Sequence, residues 1–261
     1  MDTFIDPRAI VSAKAQLGDA VSIGPNTIVE DDVVIDSGTI LGANILIANG
    51  TRIGRECRIH HGTVLGSIPQ DLKFHGEVTT LEIGDHNVFR EYATVNRGTG
   101  AGGKTVIGNH CFFMAYTHVA HDCTIGNHVI LANAVNMGGH CIIEDHAVVG
   151  GMVAIHQFSH IGRHSMIGGG FRATKDVPPY VLAGSEPLAF TGLNIVGLKR
   201  RNFSKESIEN LEQTYHLIYH SGLNVTQAIK KIKNEFTLSE EVRHVIEFIE
   251  KSKRGIIWIR R

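Results

Sequence analysis

The segment THVAHDC, residues 117–123, sets two histidines three apart, His118 and His121, and follows the second with Asp122. A neutral imidazole, with a reference pKa of about 6.5, is the side chain best suited to take a proton near neutral pH. A carboxylate next to it can orient the ring and stabilise the imidazolium that forms. GGH at 138–140 and IHQF at 155–158 add His140 and His156. These residues are scattered in sequence, so any shared chemistry depends on a fold that gathers them.

The fold is written in a six-residue period. Stepping by six from Ile5 through Val11, Leu17, Ile23 and onward to Ile167, 25 of 28 positions carry a large apolar residue. The exceptions, Asp71, Glu77 and Ala101, fall in two apparent insertions, GSIPQDLKFHGEVTT and GTGAGGK. A smaller residue sits two places before most of the aliphatics, and glycine often follows them. Two inward positions separated by one outward residue is strand alternation, and a break every six residues makes each strand very short. Such strands stack as coils about 4.8 Å apart, which is a parallel β-helix. Cys57, Cys111, Cys123 and Cys141 all fall on the small inward column and read as buried apolar residues, not as disulfides or metal ligands.

This pattern resembles the hexapeptide-repeat family, whose β-helix is left-handed and triangular with three hexads, 18 residues, per coil. The resemblance implies the left hand, against the usual crossover rule. Residues 18 apart then stack: His121 under Gly139 and Gln157, Asp122 under His140 and Phe158, Ala120 under Gly138 and His156. His121, His140 and His156 are thereby expected on one edge, within about 10 Å.

The repeat ends near TKDVPPYVLAG, where Pro178 and Pro179 remove strand donors. Helical spacing follows. Ser204 is an expected N-cap, Phe203 and Ile208 a hydrophobic staple, and Gly222 a stop. Helices are expected around 225–236 and 240–254, the last closed by Gly255. The reading is a mainly β chain: a left-handed parallel β-helix over 1–187 and a small C-terminal α-helical domain over 188–261.

PQDLKFHGE, EYATVNRGT, HVAHD, GGH, IHQF, DVPPY and GLNIVGLKRR, in this order, are similar to motifs of the acyl-acyl-carrier-protein:UDP-N-acetylglucosamine O-acyltransferases of lipid A biosynthesis. The likeness covers essentially the whole chain. It implies transfer of a long, 3-hydroxylated acyl group to the 3-position of the sugar. The expected catalytic set is His121 as general base, Asp122 as its orienting carboxylate and Gly139 as oxyanion donor. It also implies that Asp71, Lys73, His118 and His140 bind the sugar nucleotide. His156, Gln157, Asn194, Arg200 and Arg201 would engage the nucleotide and the phosphopantetheine of acyl carrier protein, and Gly169 would set acyl length. No metal or cofactor is implied. The family's enzyme is a homotrimer with sites between subunits. Two departures stand out: Val196, where glutamate is usual, and Phe171, where a small residue is expected.

Charge adds little on its own. The balance is twelve Lys and Arg against eighteen Asp and Glu over 1–198, and thirteen against eight over 199–261. The basic end is the expected face for an acidic partner. No apolar run approaches the roughly 20 residues of a membrane span, and the N-terminus lacks a secretory signal, so the expectation is a cytoplasmic protein without stable membrane insertion or nucleic-acid binding. A zinc-dependent carbonic anhydrase of the same β-helix type is a rival, but the 118/121/140 spacing and the helical tail fit it poorly. A non-catalytic scaffold leaves the clustered histidines unexplained. The related N-acyltransferase carries an extra N-terminal domain, for which hexads starting at residue 5 leave no room.

Overall fold

The computed structural model describes residues 2–236 and 238–259. Its body is a left-handed parallel β-helix of two- to four-residue strands. Ile5, Ile23, Leu41 and Ile59 pair in register down one face. Val11, Val29, Ile47 and Leu65 pair down the second. Leu17, Ile35 and Ile53 pair down the third. Each hexad therefore supplies one side of a triangular coil, and the coil repeats every 18 residues. The two insertions stretch this register without breaking it: Ile59 pairs with Phe89, thirty residues on, and Phe89 with Phe113, twenty-four on.

The inward residues fill the prism. Ile23, Leu41, Phe113, Leu131 and Val149 are fully or almost fully buried, and Phe89 stacks on Phe113 at 4.5 Å. Shortening one of these rungs to alanine would cost about 2–5 kcal/mol. Buried threonines are satisfied by turn carbonyls, as where the Thr39 hydroxyl donates to Gly54 O at 2.8 Å. All four cysteines are free and buried. Burial pushes the Cys57 and Cys111 thiols up to about 11, which keeps them protonated and inert.

Each edge turns through a left-handed residue, and many of these are not glycine: His110 (φ 57°), Asp122 (φ 59°), His140 (φ 58°) and Phe158 (φ 64°) are examples. His and Asn recur there because their polar side chains tolerate the conformation better than most. One edge, between the third and first faces, carries His86, His110, His128, His146 and His164. Their rings stack at 4.6–4.9 Å. His86, His110 and His128 are exposed. His146 and His164 are half-buried, and burial lowers their pKa to about 4 and about 3.

At the C-terminal end the β-helix continues past the prolines. Val181–Gly184 joins the first face and turns back antiparallel to Ala189–Leu193, which in turn pairs with Trp258–Ile259. The boundary drawn at 187/188 thus falls inside a hairpin. A short helix that periodicity did not reveal, α1 (Ile195–Arg200), follows. Then come α2 (Lys205–His220), α3 (Val225–Glu235) and α4 (Glu240–Lys251). Ser204 caps α2 by accepting from Ser207 N, and Asn224 and Gln227 form a capping box on α3. Helix α4 ends at Lys251 with Ser252 as its cap, ahead of the expected Gly255 stop.

Glu144 fastens the helices to the β-helix. Its carboxylate takes a 2.7 Å hydrogen bond from His244 of α4 and one from Arg163 N. His160 Nε2 lies 2.9 Å away, poorly aligned for a hydrogen bond. Burial works to raise the Glu144 pKa, but the neighbouring His160 and His244 outweigh it and hold the carboxyl well below the usual range.

Candidate active site

The edge between the second and third faces gathers most of the chemistry. His121 and Asp122 turn from the strand His118–Val119 to the strand Thr124–Ile125. Gly139 and His140 lie one coil above, as the amide of His140 donating to His121 O at 3.0 Å shows. His156 and Gln157 lie one coil higher, where Phe158 N donates to Gly139 O. Both insertions leave the prism at this edge too, after strands Val64–Ser67 and Thr94–Asn96 of the second face.

His121 Nδ1 and Asp122 Oδ2 are 2.8 Å apart. The Asp122 side chain is only 2% exposed and also accepts from Thr99 N at 2.9 Å and Thr99 Oγ1 at 2.6 Å. Burial would raise the Asp122 pKa, but these donors outweigh it, and the carboxyl sits below its ordinary value. A carboxylate facing Nδ1 fixes the proton there and leaves Nε2 as the basic nitrogen. His140 meets His121 edge-on at 5.2 Å between ring centroids and stacks on Phe158 at 4.7 Å. Its Nε2 is 3.6 Å from Asp122 Oδ2. His118 points outward from the second face with Nδ1 2.8 Å from Thr94 Oγ1. Burial, then the charge of His121, lowers its pKa, so it is a neutral hydrogen-bonding group at pH 7.

Gly139 packs directly on His121, whose ring lies in the space a side chain would fill. Among the described residues no acceptor takes its N–H. His121, Asp122 and His140 offer atoms that all lie within 4.8 Å of one another, a spacing at which a divalent ion could be gripped. Asp122, however, already receives three donors. Its lone pairs serve that network.

The loop of the first insertion is solvent-facing. Lys73 is exposed, and its amide donates to Asp71 Oδ1 at 2.9 Å. Phe74 anchors the loop beneath Arg97, whose guanidinium lies 5.8 Å from the ring. His156 is exposed, with Nδ1 3.0 Å from the Gln157 carbonyl, which also accepts from Arg254.

The remaining expected residues lie elsewhere on the protomer. Gly169 is at the edge between the first and second faces, stacked on the Gly151 backbone. Phe171 is partly buried against the core near it. Asn194 is nearly buried and already engaged. Its side chain caps α1 through Gly197 N and donates to His164 O at 2.9 Å. That places α1, Arg200 and Arg201 by the histidine stack, and burial lowers the Arg201 pKa. Val196 is exposed on α1. Sequence spacing missed Thr94 and Thr99, because nothing in the six-residue period marks which outward threonine will meet a histidine or an aspartate.

Residues 176–257 match the family model described as UDP N-acetylglucosamine O-acyltransferase, domain 2, and residues 104–139 match the bacterial transferase hexapeptide model of six repeats. The acyl-[acyl-carrier-protein]–UDP-N-acetylglucosamine O-acyltransferase of Sulfurihydrogenibium sp. (strain YO3AOP1) is 56% identical over 97% of this chain and 93% of its own length. The protein of that name from Chlorobium phaeobacteroides is 57% identical, covering 98% and 97%. The crystal structure of a UDP-N-acetylglucosamine acyltransferase from Bacteroides fragilis superposes with a TM-score of 0.95 at 45% identity, covering 97% of this chain and all of that one.

Proposed function

The chain belongs to the acyl-[acyl-carrier-protein]–UDP-N-acetylglucosamine O-acyltransferases, and from that membership we propose that His121 is the base through which it works. The protein is an enzyme that transfers an acyl group from acyl carrier protein to UDP-N-acetylglucosamine in lipid A biosynthesis. The finer reading is attack by the sugar 3-hydroxyl on the thioester carbonyl of a long 3-hydroxyacyl chain. His121 Nε2 takes the hydroxyl proton as the C–O bond forms. The oxyanion of the tetrahedral intermediate is met by the Gly139 N–H. The C–S bond then breaks, and the imidazolium returns the proton to the leaving sulfur. Asp122 stabilises the positive charge in between. The observation that carries this reading is the Asp122–His121 pair beneath an unclaimed glycine amide.

Asp71, Lys73, His118 and His140 are read as the sugar-nucleotide set, since they border the same edge and an exposed lysine suits a diphosphate. Gly169, Asn194, Arg200 and Arg201 lie on other edges, so their roles in nucleotide, carrier and acyl-chain binding require a neighbouring protomer. A homotrimer supplies one. Support for self-association comes from the apolar column of Val88, Phe112, Ile130, Val148 and Met166 that faces outward on the first face. Leu72 and Val78, bare on the insertion loop, add to it. No helix among the described residues is long and apolar enough to cross a membrane. We read the protein as cytoplasmic, where its carrier substrate is made.

The test is incubation of UDP-N-acetylglucosamine with a ladder of acyl-carrier thioesters, 3-hydroxylated and plain, with products identified by mass and position. An O-linked product at the 3-position supports the reading. Transfer to another position, or an unchanged rate on removal of the 3-hydroxyl, refutes it. Metal analysis of the same preparation addresses the zinc alternative: a stoichiometric ion lost together with activity would replace the base mechanism.

A further inference from the structure

We propose that Thr99 is a positioning residue of this reaction, and that the second insertion exists on this edge to clamp and dehydrate the Asp122 carboxylate that holds the base. The inference rests on His121 acting as the base. Thr99 reaches Asp122 twice, with its amide on Oδ1 at 2.9 Å and its hydroxyl on Oδ2 at 2.6 Å. Oδ2 is also the oxygen that faces His121 Nδ1. The carboxylate is therefore gripped at both oxygens and cannot rotate without breaking a bond to Thr99. Asp122's own amide donates to Thr105 Oγ1 at 2.9 Å, so the turn itself is pinned on the far side of the insertion.

The insertion also covers the group. Gly102 approaches so closely that a Cβ there would overlap Oδ1 of Asp122. With that backbone across it, the Asp122 side chain is 2% exposed although it stands at an outer corner. A carboxylate so shielded interacts with the imidazolium in a lower dielectric than water provides. The other titratable groups facing the pair are His118 and His140, and neither donates a hydrogen bond to the carboxylate within 3.5 Å. Thr99 is thus the partner that sets the orientation of Asp122 toward His121.

The experiment is a kinetic cycle on the full-length enzyme with the matched carrier thioester. Thr99→Val is expected to lower kcat about 10–100-fold, the usual scale for loss of an orienting partner, with KM for the sugar nucleotide changed less than about 2-fold. Thr99→Ser, which keeps the hydroxyl, is expected to retain most activity. Gly102→Ala leaves the hydroxyl in place but displaces the carboxylate, and is expected to act like Thr99→Val. In an Asp122→Asn background, Thr99→Val should cost less than about 2-fold, because the two act through one group. Wild-type kcat in Thr99→Val, or a full loss that persists in the Asp122→Asn background, overturns the proposal. Melting curves for every variant separate misfolding from mispositioning. His121→Ala is the control: if it stays active, the base reading itself fails, whereas an inactive His121→Ala beside a normal Thr99→Val sinks only Thr99.

Discussion

A Cβ placed on Gly139 would lie 2.6 Å from Cε1 of His121. The ring cannot retreat freely, because Asp122 holds its Nδ1. Gly139→Ala is therefore expected to push the imidazole off its position and lower kcat at least about 10-fold. Melting temperature should change little, since the added methyl meets a side chain at the rim and not the prism core. Steady-state kinetics and a thermal melt check this, and unaltered kcat would remove the contact from the mechanism.

His121→Ala is expected to lower turnover by about two orders of magnitude or more, the range of a general base. Asp122→Asn should lower it as well, since an amide can present its N–H to Nδ1 and favour the wrong tautomer. Product formation measured by mass, at saturating substrates, gives both numbers.

Lys73 makes no side-chain hydrogen bond or ion pair among the described residues and stands on an exposed loop. Lys73→Ala should raise KM for UDP-N-acetylglucosamine about 10-fold, the scale of one lost charge-assisted contact, and leave the melting temperature unchanged. An unchanged KM would take the loop out of nucleotide binding.

Glu144→Gln removes the charge that holds His244 of α4 against the β-helix. Loss of a hydrogen bond to a charged group costs about 1.5–3 kcal/mol, so a drop in melting temperature is expected at pH 7. The folded carboxyl titrates below the ordinary glutamate value of 4.5. Its stabilisation is therefore complete above that pH and fades as pH falls below it. The gap between wild type and variant should narrow on acidification from pH 5 downward, as read by melts across pH.

The half-buried histidines of the stacked edge act in a higher window. Burial lowers the pKa of His146 and His164 to about 4 and about 3 in the folded chain, against an ordinary value of 6.5. Between pH 6.5 and those values the unfolded chain binds protons that the folded chain refuses, so stability falls as pH drops. Each site adds a slope of at most about 1.4 kcal/mol per pH unit. His164→Asn, which tolerates the left-handed turn, should flatten the acid limb of a melting-temperature profile. An identical limb would mean that the stack does not govern acid stability.

The six-residue period made the β-helix legible before any coordinates, because a strand alternating inward and outward and turning at each hexad has few ways to bury its aliphatics. The same arithmetic brought His121 beneath Gly139 and Asp122 beneath His140, since a constant coil length turns sequence distance into height on an edge. Local propensity likewise found Ser204 and the helices that follow. What periodicity could not carry was anything outside the repeat. Thr99 sits in an insertion, where the register is suspended, and only folding shows that its hydroxyl turns onto Asp122 and not into solvent. Asn194 reads as one more polar residue in a motif, yet the tertiary structure spends its amide on capping α1 and on the His164 carbonyl. Gly169 is expected in the same site as His121 but stands on another edge, because edge is fixed by position within the coil, and Arg201 lies outside the repeat at the end of α1.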